Sequence, residues 1–287
     1  MKRKALITGS EGFIGRHLKA KLDVLGWEVF CWDMVDSKDV RDVAKFNNNV
    51  DFVFHLAGIS DEKSFKSNIL DSFDINITGT LSVLNYCKNN DAKCIFASTS
   101  GVYNSSNKKV DELSDLNPSS PYAISKYLAE RICYQFSKEW NIPITVLRIF
   151  NVFGAEQPEP FIVPYVVNKL INGNTLEIKM PEAVRDFIHI SDVIDAMILS
   201  ATHSNKNFNI YNIGTGISTR IIDLITTAEK IYDKKADIIF NKSNEGKPCN
   251  IVADNSKALK ELGWKINFDL QRGLVFYKPI IDKIGLK

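Results

Sequence analysis

Three tyrosines in this chain stand four residues ahead of a lysine: Tyr122/Lys126, Tyr134/Lys138 and Tyr165/Lys169. On a helix this spacing puts both side chains on one face, so a phenol and an ammonium can act on the same substrate. A free tyrosine titrates near ~10, so a proton shuttle useful around neutrality needs roughly 3 units of depression. A neighbouring fixed cation is one way to supply it. Only Tyr122 has suitable company upstream. Gly9, Gly12 and Gly15 follow the first apolar strand directly, in the turn Thr8-Gly9-Ser10-Glu11-Gly12-Phe13-Ile14-Gly15. A tight turn and the close approach of a phosphate both require residues without Cβ. A pyrophosphate there would meet the positive end of the new helix. Together the two features point to oxidoreductase chemistry on a nicotinamide cofactor. Twelve residues at 3.6 per turn carry Tyr134 about a third of a rotation from Tyr122, and the two later pairs read as surface or packing residues.

The elements that must hold these groups alternate along the first half. Strands are expected at Lys4–Thr8, Trp27–Asp33, Asp51–Leu56, Lys93–Thr99 and Ile144–Phe150. Helices are expected at Gly12–Gly26, around Leu70–Asn90 and at Pro121–Trp140. That alternation predicts an α/β fold, a Rossmann-type doubly wound parallel sheet with helices on both faces. After Gly154 the rhythm changes: Pro158, Pro160 and Pro164 mark an irregular entry. Helices follow at Tyr165–Asn172, Arg185–Thr202, Ile221–Tyr232 and Ser256–Gly263, with a strand at Leu176–Lys179. Residues 1–154 are expected to form the dinucleotide-binding domain with the Tyr/Lys helix. Residues 155–287 are expected to form a smaller C-terminal α/β substrate-binding region, interleaved with the sheet and not independent.

A chain of 287 residues that is 45% hydrophobic can bury a substantial core. Its net charge of +2 is too small to argue for nucleic acid or an acidic membrane surface. The five cysteines (Cys31, Cys87, Cys94, Cys133 and Cys249) are scattered without a C-x-x-C pair. No metal site is expected, and the cysteines read as reduced hydrophobes. The first residues hold a strand and a glycine-broken helix, which is neither a signal peptide nor a membrane span. The expected location is the cytoplasm.

Asp33 closes the second strand, about 24 residues beyond Gly9, where an acidic group hydrogen-bonds the adenosine ribose. A carboxylate there also repels a 2′-phosphate, which favours NAD over NADP. Trp32 and Met34 are apolar neighbours for the adenine side, and Asp39-Val40 is a further candidate for the adenine ring. His55-Leu56-Ala57-Gly58 ends the next strand on the same edge. Leu56, Ala57 and Gly58 let the dinucleotide lie against backbone, while His55 reads as packed.

On the chemical side, Phe96-Ala-Ser-Thr-Ser-Gly-Val-Tyr103 runs from a strand into a polar loop that ends at Pro118-Ser-Ser-Pro-Tyr122. A hydroxyl at that strand end, facing Tyr122, would bind the sugar oxygen that gains or loses a proton. At this point the chain resembles the extended short-chain dehydrogenase/reductase family, in its branch that modifies nucleotide sugars. The resemblance covers essentially the whole length. It rests on T-G-x-x-G-F-I-G (Thr8–Gly15), H-L-A-G (His55–Gly58), S-T-S-G-V-Y (Ser98–Tyr103) and P-Y-A-I-S-K (Pro121–Lys126). R-I-F-N-V-F-G (Arg148–Gly154), R-D-F-I-H-I-S-D (Arg185–Asp192) and L-G-W (Leu262–Trp264) extend it.

The resemblance implies roles for individual residues. Thr99 falls where the family has its catalytic serine or threonine. Tyr122 is the general acid/base, and Lys126 tunes it and binds the nicotinamide ribose. Asn76 matches an asparagine that orders the site near the nicotinamide. Asn151 matches a residue touching the substrate's diphosphate, and Arg185 a phosphate- or nucleotide-contacting arginine. The bland alternative for Arg185 and Asp186 is an internal ion pair. The resemblance also implies a homodimer, the two long helices of each protomer pairing into a four-helix bundle.

Departures from the pattern narrow the chemistry. Members that eliminate water carry an acidic pair directly after the catalytic threonine, where this chain has Ser100 and Gly101. Members that decarboxylate a uronic acid carry a glutamate at the Gly101 position. Neither reaction is favoured here, and Ser100 counts among the substrate-binding residues. What remains is hydride transfer at a ring carbon, C4, of a nucleoside-diphosphate sugar, with Tyr122 as sole proton shuttle. A 4-epimerase fits best, with a 4-ketosugar reductase or a sugar 4-dehydrogenase as the alternative. Many members have a diphosphate-binding arginine in the loop that here reads Glu245-Gly-Lys-Pro-Cys-Asn250. Lys247 could substitute as a point charge without bidentate geometry. A rival from another class is a non-catalytic dinucleotide-binding sensor on the same fold. Such proteins usually lose the tyrosine or lysine, and here both stand with Thr99.

Overall fold

Ala5, Leu6 and Ile7 alternate between two buried faces: Leu6 packs into one hydrophobic core, Ala5 and Ile7 into another. A strand covered on both sides requires this period of two. The computed structural model describes residues 2–159, 161–204, 208–240 and 250–284. From the N-terminus run β1 (Lys4–Thr8), α1 (Phe13–Val24), β2 (Glu28–Trp32), β3 (Phe52–His55), α2 (Glu62–Ser67) and α3 (Ile69–Asn90). Then come β4 (Lys93–Thr99), α4 (Pro121–Trp140), β5 (Ile144–Ile149), β6 (Asn151–Phe153), α5 (Ile162–Ile171) and β7 (Leu176–Ile178). β8 (Val184–Arg185), β9 (Phe187–His189), α6 (Ile190–Thr202), β10 (Asn209–Ile213), β11 (Thr219–Arg220), α7 (Ile221–Tyr232), β12 (Ile238–Phe240), α8 (Ser256–Leu262) and α9 (Leu270–Ile284) complete the described chain.

Six strands form one sheet in the order β10-β5-β4-β3-β1-β2, with every neighbouring pair parallel. The chain leaves β1 for β2 on one side and returns to β3 on the other. The crevice for a ligand therefore opens at the carboxyl ends of β1 and β3. Val83, Leu84 and Cys87 of α3 and Ala129 and Cys133 of α4 cover one face. Leu18 and Leu22 of α1, Val193, Ile194 and Met197 of α6, and Trp264 cover the other. Val163, Val166, Leu170, Phe187, Leu224 and Leu274 form a separate core in the C-terminal region.

The sheet is the doubly wound parallel one anticipated, with two differences worth explaining. The stretch expected as one helix from Arg185 begins as strand, because Phe187–His189 pairs in parallel with Asn151–Phe153. The helix starts only at Ile190, after His189 accepts the Ser191 amide hydrogen at 3.3 Å. The second difference is the sixth strand, Asn209–Ile213, which comes from well beyond residue 154 and pairs with β5.

Candidate active site

The helix that carries Tyr122 starts where its sequence says it should. Ser120 caps it by accepting the Ala123 amide at 3.2 Å, and Pro121 fills the first turn, where no N–H is needed. Asn141 ends it in a left-handed conformation, φ 55°. This fixes Tyr122 in the first turn and Lys126 one turn deeper. Both line a cavity of about 420 Å³ whose walls also include Thr99, Ser100, Asn151 and Phe187. Tyr134 and Tyr165 are elsewhere: Tyr134 packs edge-on against Phe208, and the Tyr165 hydroxyl accepts the Glu177 amide.

Thr99 ends β4 and accepts the Gly101 amide hydrogen at 3.1 Å. Its own hydroxyl hydrogen is thereby left for Tyr122, with which it shares a hydrogen bond. Burial pushes the Tyr122 hydroxyl up to about 12, against the lowering effect of Thr99. Burial also pulls the Lys126 ammonium down to about 8, and that group sits 4.2 Å from the centre of the Phe96 ring. The depression of Tyr122 by Lys126 expected from sequence is thus absent in the protein alone: desolvation dominates, and what opposes it is the Thr99 hydrogen bond.

Asn76 orders the site from behind. Its amide oxygen accepts from Ile59 N at 2.8 Å, and its nitrogen donates to Ile59 O and to Ser125 Oγ, clamping the loop after β3 to α4. A Cβ at Gly58 would come 2.8 Å from the Asn76 oxygen, so that turn needs glycine. His55 is fully buried between Thr8 and Thr80 hydroxyls, and burial lowers it to about 3. It is a neutral packing residue.

The opposite wall fits a dinucleotide. Gly9 has φ +72°, and a Cβ there would lie 2.7 Å from Ala57 N; one at Gly15 would lie 2.1 Å from Gly9 O. Helix α1 begins at Gly12 with no side-chain cap and no acidic residue in its first turn. Its free amide hydrogens, at Phe13 and Ile14 on the cavity wall, suit a pyrophosphate. Leu56 lines the same cavity, while Ala57 backs onto Gly9 and donates its amide hydrogen to the Thr8 hydroxyl oxygen at 3.3 Å. Asp33 lies beyond the turn and accepts the Glu11 amide at 3.0 Å. Asp39 is engaged by Arg41, Nη2 to Oδ2 at 2.5 Å. Val40 is buried against Gly79. Their side chains are occupied, and the Asp39 carbonyl already accepts from Trp32 Nε1 at 2.7 Å and from the Asp42 amide at 3.0 Å.

On the substrate side, Asn151 lines the cavity beside Ser100. Arg185 lies on β8 outside the cavity wall and donates to Val184 O at 2.9 Å. Asp186 is not its partner. That buried carboxylate accepts from Thr215 N, Thr215 Oγ1, Gly216 N and Ala253 N at 2.6 to 3.1 Å, which excludes an internal Arg185–Asp186 pair as its explanation. Lys247 lies outside the described residues. Sequence reasoning missed Gln157. It is 8% exposed and lines the cavity. Its nitrogen donates to Val152 O at 2.9 Å, while its oxygen has no hydrogen-bond partner. No local pattern marks such a residue; only the assembled cavity does. Among the described residues, the cavity wall contains no aspartate, glutamate or histidine, and no cluster able to hold a metal ion is present.

A parallel sheet with a glycine turn at its switch point, and a threonine, tyrosine and lysine across from it, defines an extended short-chain dehydrogenase/reductase. More narrowly, the chain belongs to the NAD dependent epimerase/dehydratase family, whose sequence model matches residues 5–214. It is an NAD-dependent enzyme. It is 29% identical to the UDP-glucose 4-epimerase of Lactobacillus helveticus, covering 91% of this chain and 92% of that one. Its fold superposes on the crystal structure of a Thermotoga maritima UDP-glucose 4-epimerase with UDP-glucose, at 26% identity and a TM-score of 0.91, over 98% of this chain and 99% of the other. A Bacillus cereus UDP-glucuronic acid 4-epimerase in complex with UDP-glucuronic acid and NAD gives 28% identity and a TM-score of 0.89, with the same coverage.

Proposed function

We propose that this enzyme interconverts nucleoside-diphosphate sugars epimeric at C4, with a UDP-sugar as its substrate, as in the relatives it resembles. The observation that carries this reading is the cavity wall. Thr99, Tyr122 and Lys126 converge on it, and among the described residues no carboxylate is there to abstract a second proton. Elimination needs a second base to take the C5 proton, and decarboxylation a second acid to protonate the carbon that loses CO2; oxidation and re-reduction of one carbinol need neither.

Bound NAD supplies the hydride acceptor and donor, and its oxidised ring adds the positive charge that Tyr122 needs to ionise near neutrality. The remaining work falls to the protein. Tyr122 takes the proton of the C4 hydroxyl and later returns one to the ketone oxygen. Thr99 donates to the same oxygen and keeps it in line with Tyr122. Lys126 holds the nicotinamide ribose and contributes positive charge behind the tyrosine. Phe150, Phe161 and Phe187 give the cavity apolar walls, which hold a 4-ketosugar loosely enough for either face to meet the hydride donor. Asn151 and Arg185 are assigned to the diphosphate and nucleotide.

We divide the labour at residue 154, with NAD held mainly before it and the sugar mainly after. The reading includes a homodimer built on α3 and α4, supported by Leu81, Ile124 and Leu128, which remain 37%, 37% and 43% exposed on those helices. It also assigns the enzyme to the cytoplasmic pool of NAD and nucleotide sugars. No helix of the described residues is long and apolar enough to cross a membrane.

The test is to denature the purified protein, identify the dinucleotide released, and incubate native protein with a panel of UDP-sugars. C4-isomerised sugar without net change at the reduced-nicotinamide absorbance band is the expected result. A stoichiometric absorbance change would instead mean a sugar 4-dehydrogenase or 4-ketosugar reductase.

A further inference from the structure

Behind the cavity lies a buried charge pair that the chemistry above does not use. Glu130 on α4 and Arg148 on β5 are 4% and 2% exposed at their side chains and meet at 2.8 Å. Arg148 Nε also reaches both carboxylate oxygens, at 3.1 and 3.2 Å, and the Ser98 hydroxyl donates to Oε1 at 2.5 Å. Arg148 continues to Tyr103 Oη at 2.9 Å, and Tyr103 donates to Asn212 on β10 at 2.6 Å. Such a pair is a poor device for stability alone, since apolar residues of similar volume usually serve as well or better. Its position suggests another use. Glu130 follows Lys126 by one helical turn on the same face, and Ser98 is the residue before Thr99.

We propose that Glu130 is a positioning residue that acts through Lys126, supplying the fixed negative charge against which that ammonium is held in the cavity wall. The proposal rests on the active-site reading above. The groups facing Lys126 leave Glu130 alone in this role. From α4 there are Tyr122 and the Cys133 thiol, which burial keeps protonated. From β3 there is His55, neutral in its buried site, and from β4 the Phe96 ring. No described carboxylate pairs directly with Lys126; Cys133 and Glu130 are the groups set against the burial of its charge, and with the buried thiol kept protonated, Glu130 is the one that carries a negative charge. The hydrogen bond from Ser98 and the bidentate contact of Arg148 keep the Glu130 carboxylate from turning towards the amine, so it acts as a fixed charge and not as a proton acceptor.

The experiment measures the proton affinity of Lys126 directly. NAD-loaded and NAD-stripped protein are pulsed with an amine-acylating reagent across pH, and labelling at Lys126 is read by peptide mass spectrometry for wild type, Glu130→Gln and Glu130→Gln/Arg148→Met. The first variant should move the labelling midpoint down by about one unit, and the alkaline limb of turnover should move with it. The double variant leaves no unpaired buried charge, so it remains informative if the single variant fails to fold; its midpoint should also fall, by less. A midpoint at or above the wild-type value in the folded variants overturns the proposal. Failure of wild type to isomerise any sugar would sink the functional reading alone, since the labelling midpoint needs no substrate.

Discussion

The Asp33 carboxylate accepts the Glu11 amide hydrogen at 3.0 Å, tying the end of β2 to the glycine turn after β1. It also accepts from Val35 N at 3.2 Å. One side chain therefore holds the cofactor turn in shape, and we propose that it also accepts from the ribose diol. The protein should bind NAD more tightly than NADP, and Asp33→Asn should narrow the gap by about tenfold, the scale of one charge-assisted hydrogen bond. Titration with each dinucleotide measures this; an equal or reversed preference in wild type removes Asp33 from the role.

Tyr122→Phe should lower turnover by roughly 10²- to 10⁴-fold, the usual contribution of a general acid/base. NAD retention and melting temperature should stay near wild type, since the ring and its packing are kept. Tyr134→Phe is the internal control: its ring packs on Phe208, away from the cavity, and turnover should not change.

Gln157→Leu should raise KM for the sugar about fivefold, the worth of roughly 1 kcal/mol for one hydrogen bond, with little effect on NAD affinity. The motive is the Gln157 amide oxygen, buried at the cavity wall without a partner. Steady-state kinetics beside dinucleotide binding separates the two effects, and an unchanged KM would mean the substrate does not use that oxygen.

Stability should fall in acid partly through His55. Its ordinary value of 6.5 drops to about 3 in the folded protein, so between those values the unfolded chain binds the proton and the folded one does not. Stability is complete above about 6.5 and declines as pH falls towards 3. By pH 4.5 the loss from this residue should reach about 2–3 kcal/mol. Melting curves from pH 7 to 4.5 should show a shallower decline for His55→Gln than for wild type; parallel declines would contradict the assignment.

Leu128→Glu, on the exposed side of α4, should convert a dimer into monomers, because a carboxylate cannot be buried unpaired in an apolar bundle. Light scattering at micromolar concentration reads the mass. A monomeric wild type would exclude the bundle.

What could be read from sequence depended on how local the deciding interactions are. The glycine turn, the start of α4 at Pro121 and the strand Lys4–Thr8 are each set by neighbours a few residues away, and each stood where expected. Residues Arg185–His189 carry a helix-like apolar spacing, but their conformation is decided by pairing with Asn151–Phe153, more than thirty residues earlier. The same holds for Asp186, whose four donors come from the Thr215-Gly216 turn and Ala253. The unpartnered Gln157 oxygen and the Lys126 environment exist only once distant segments close around them. So the gathering of Thr99, Tyr122 and Lys126 on one cavity was legible, and its electrostatic setting was not.

The pairing of β5 with Asn209–Ile213 has a consequence for how the chain is made. During synthesis, Ile144–Ile149 emerges with one edge unpaired, and it stays so until about sixty more residues have left the ribosome. A nascent chain of that length presents Ile144, Val146, Leu147 and Ile149 beside a row of unmet backbone groups, the pattern that recruits other strands. Arg148, too, waits for Tyr103 to be fixed by Asn212 before its surroundings are complete. Cleavage or premature termination between residues 150 and 208 should therefore yield an insoluble fragment, although every residue of the glycine turn and of the tyrosine–lysine helix would be present in it.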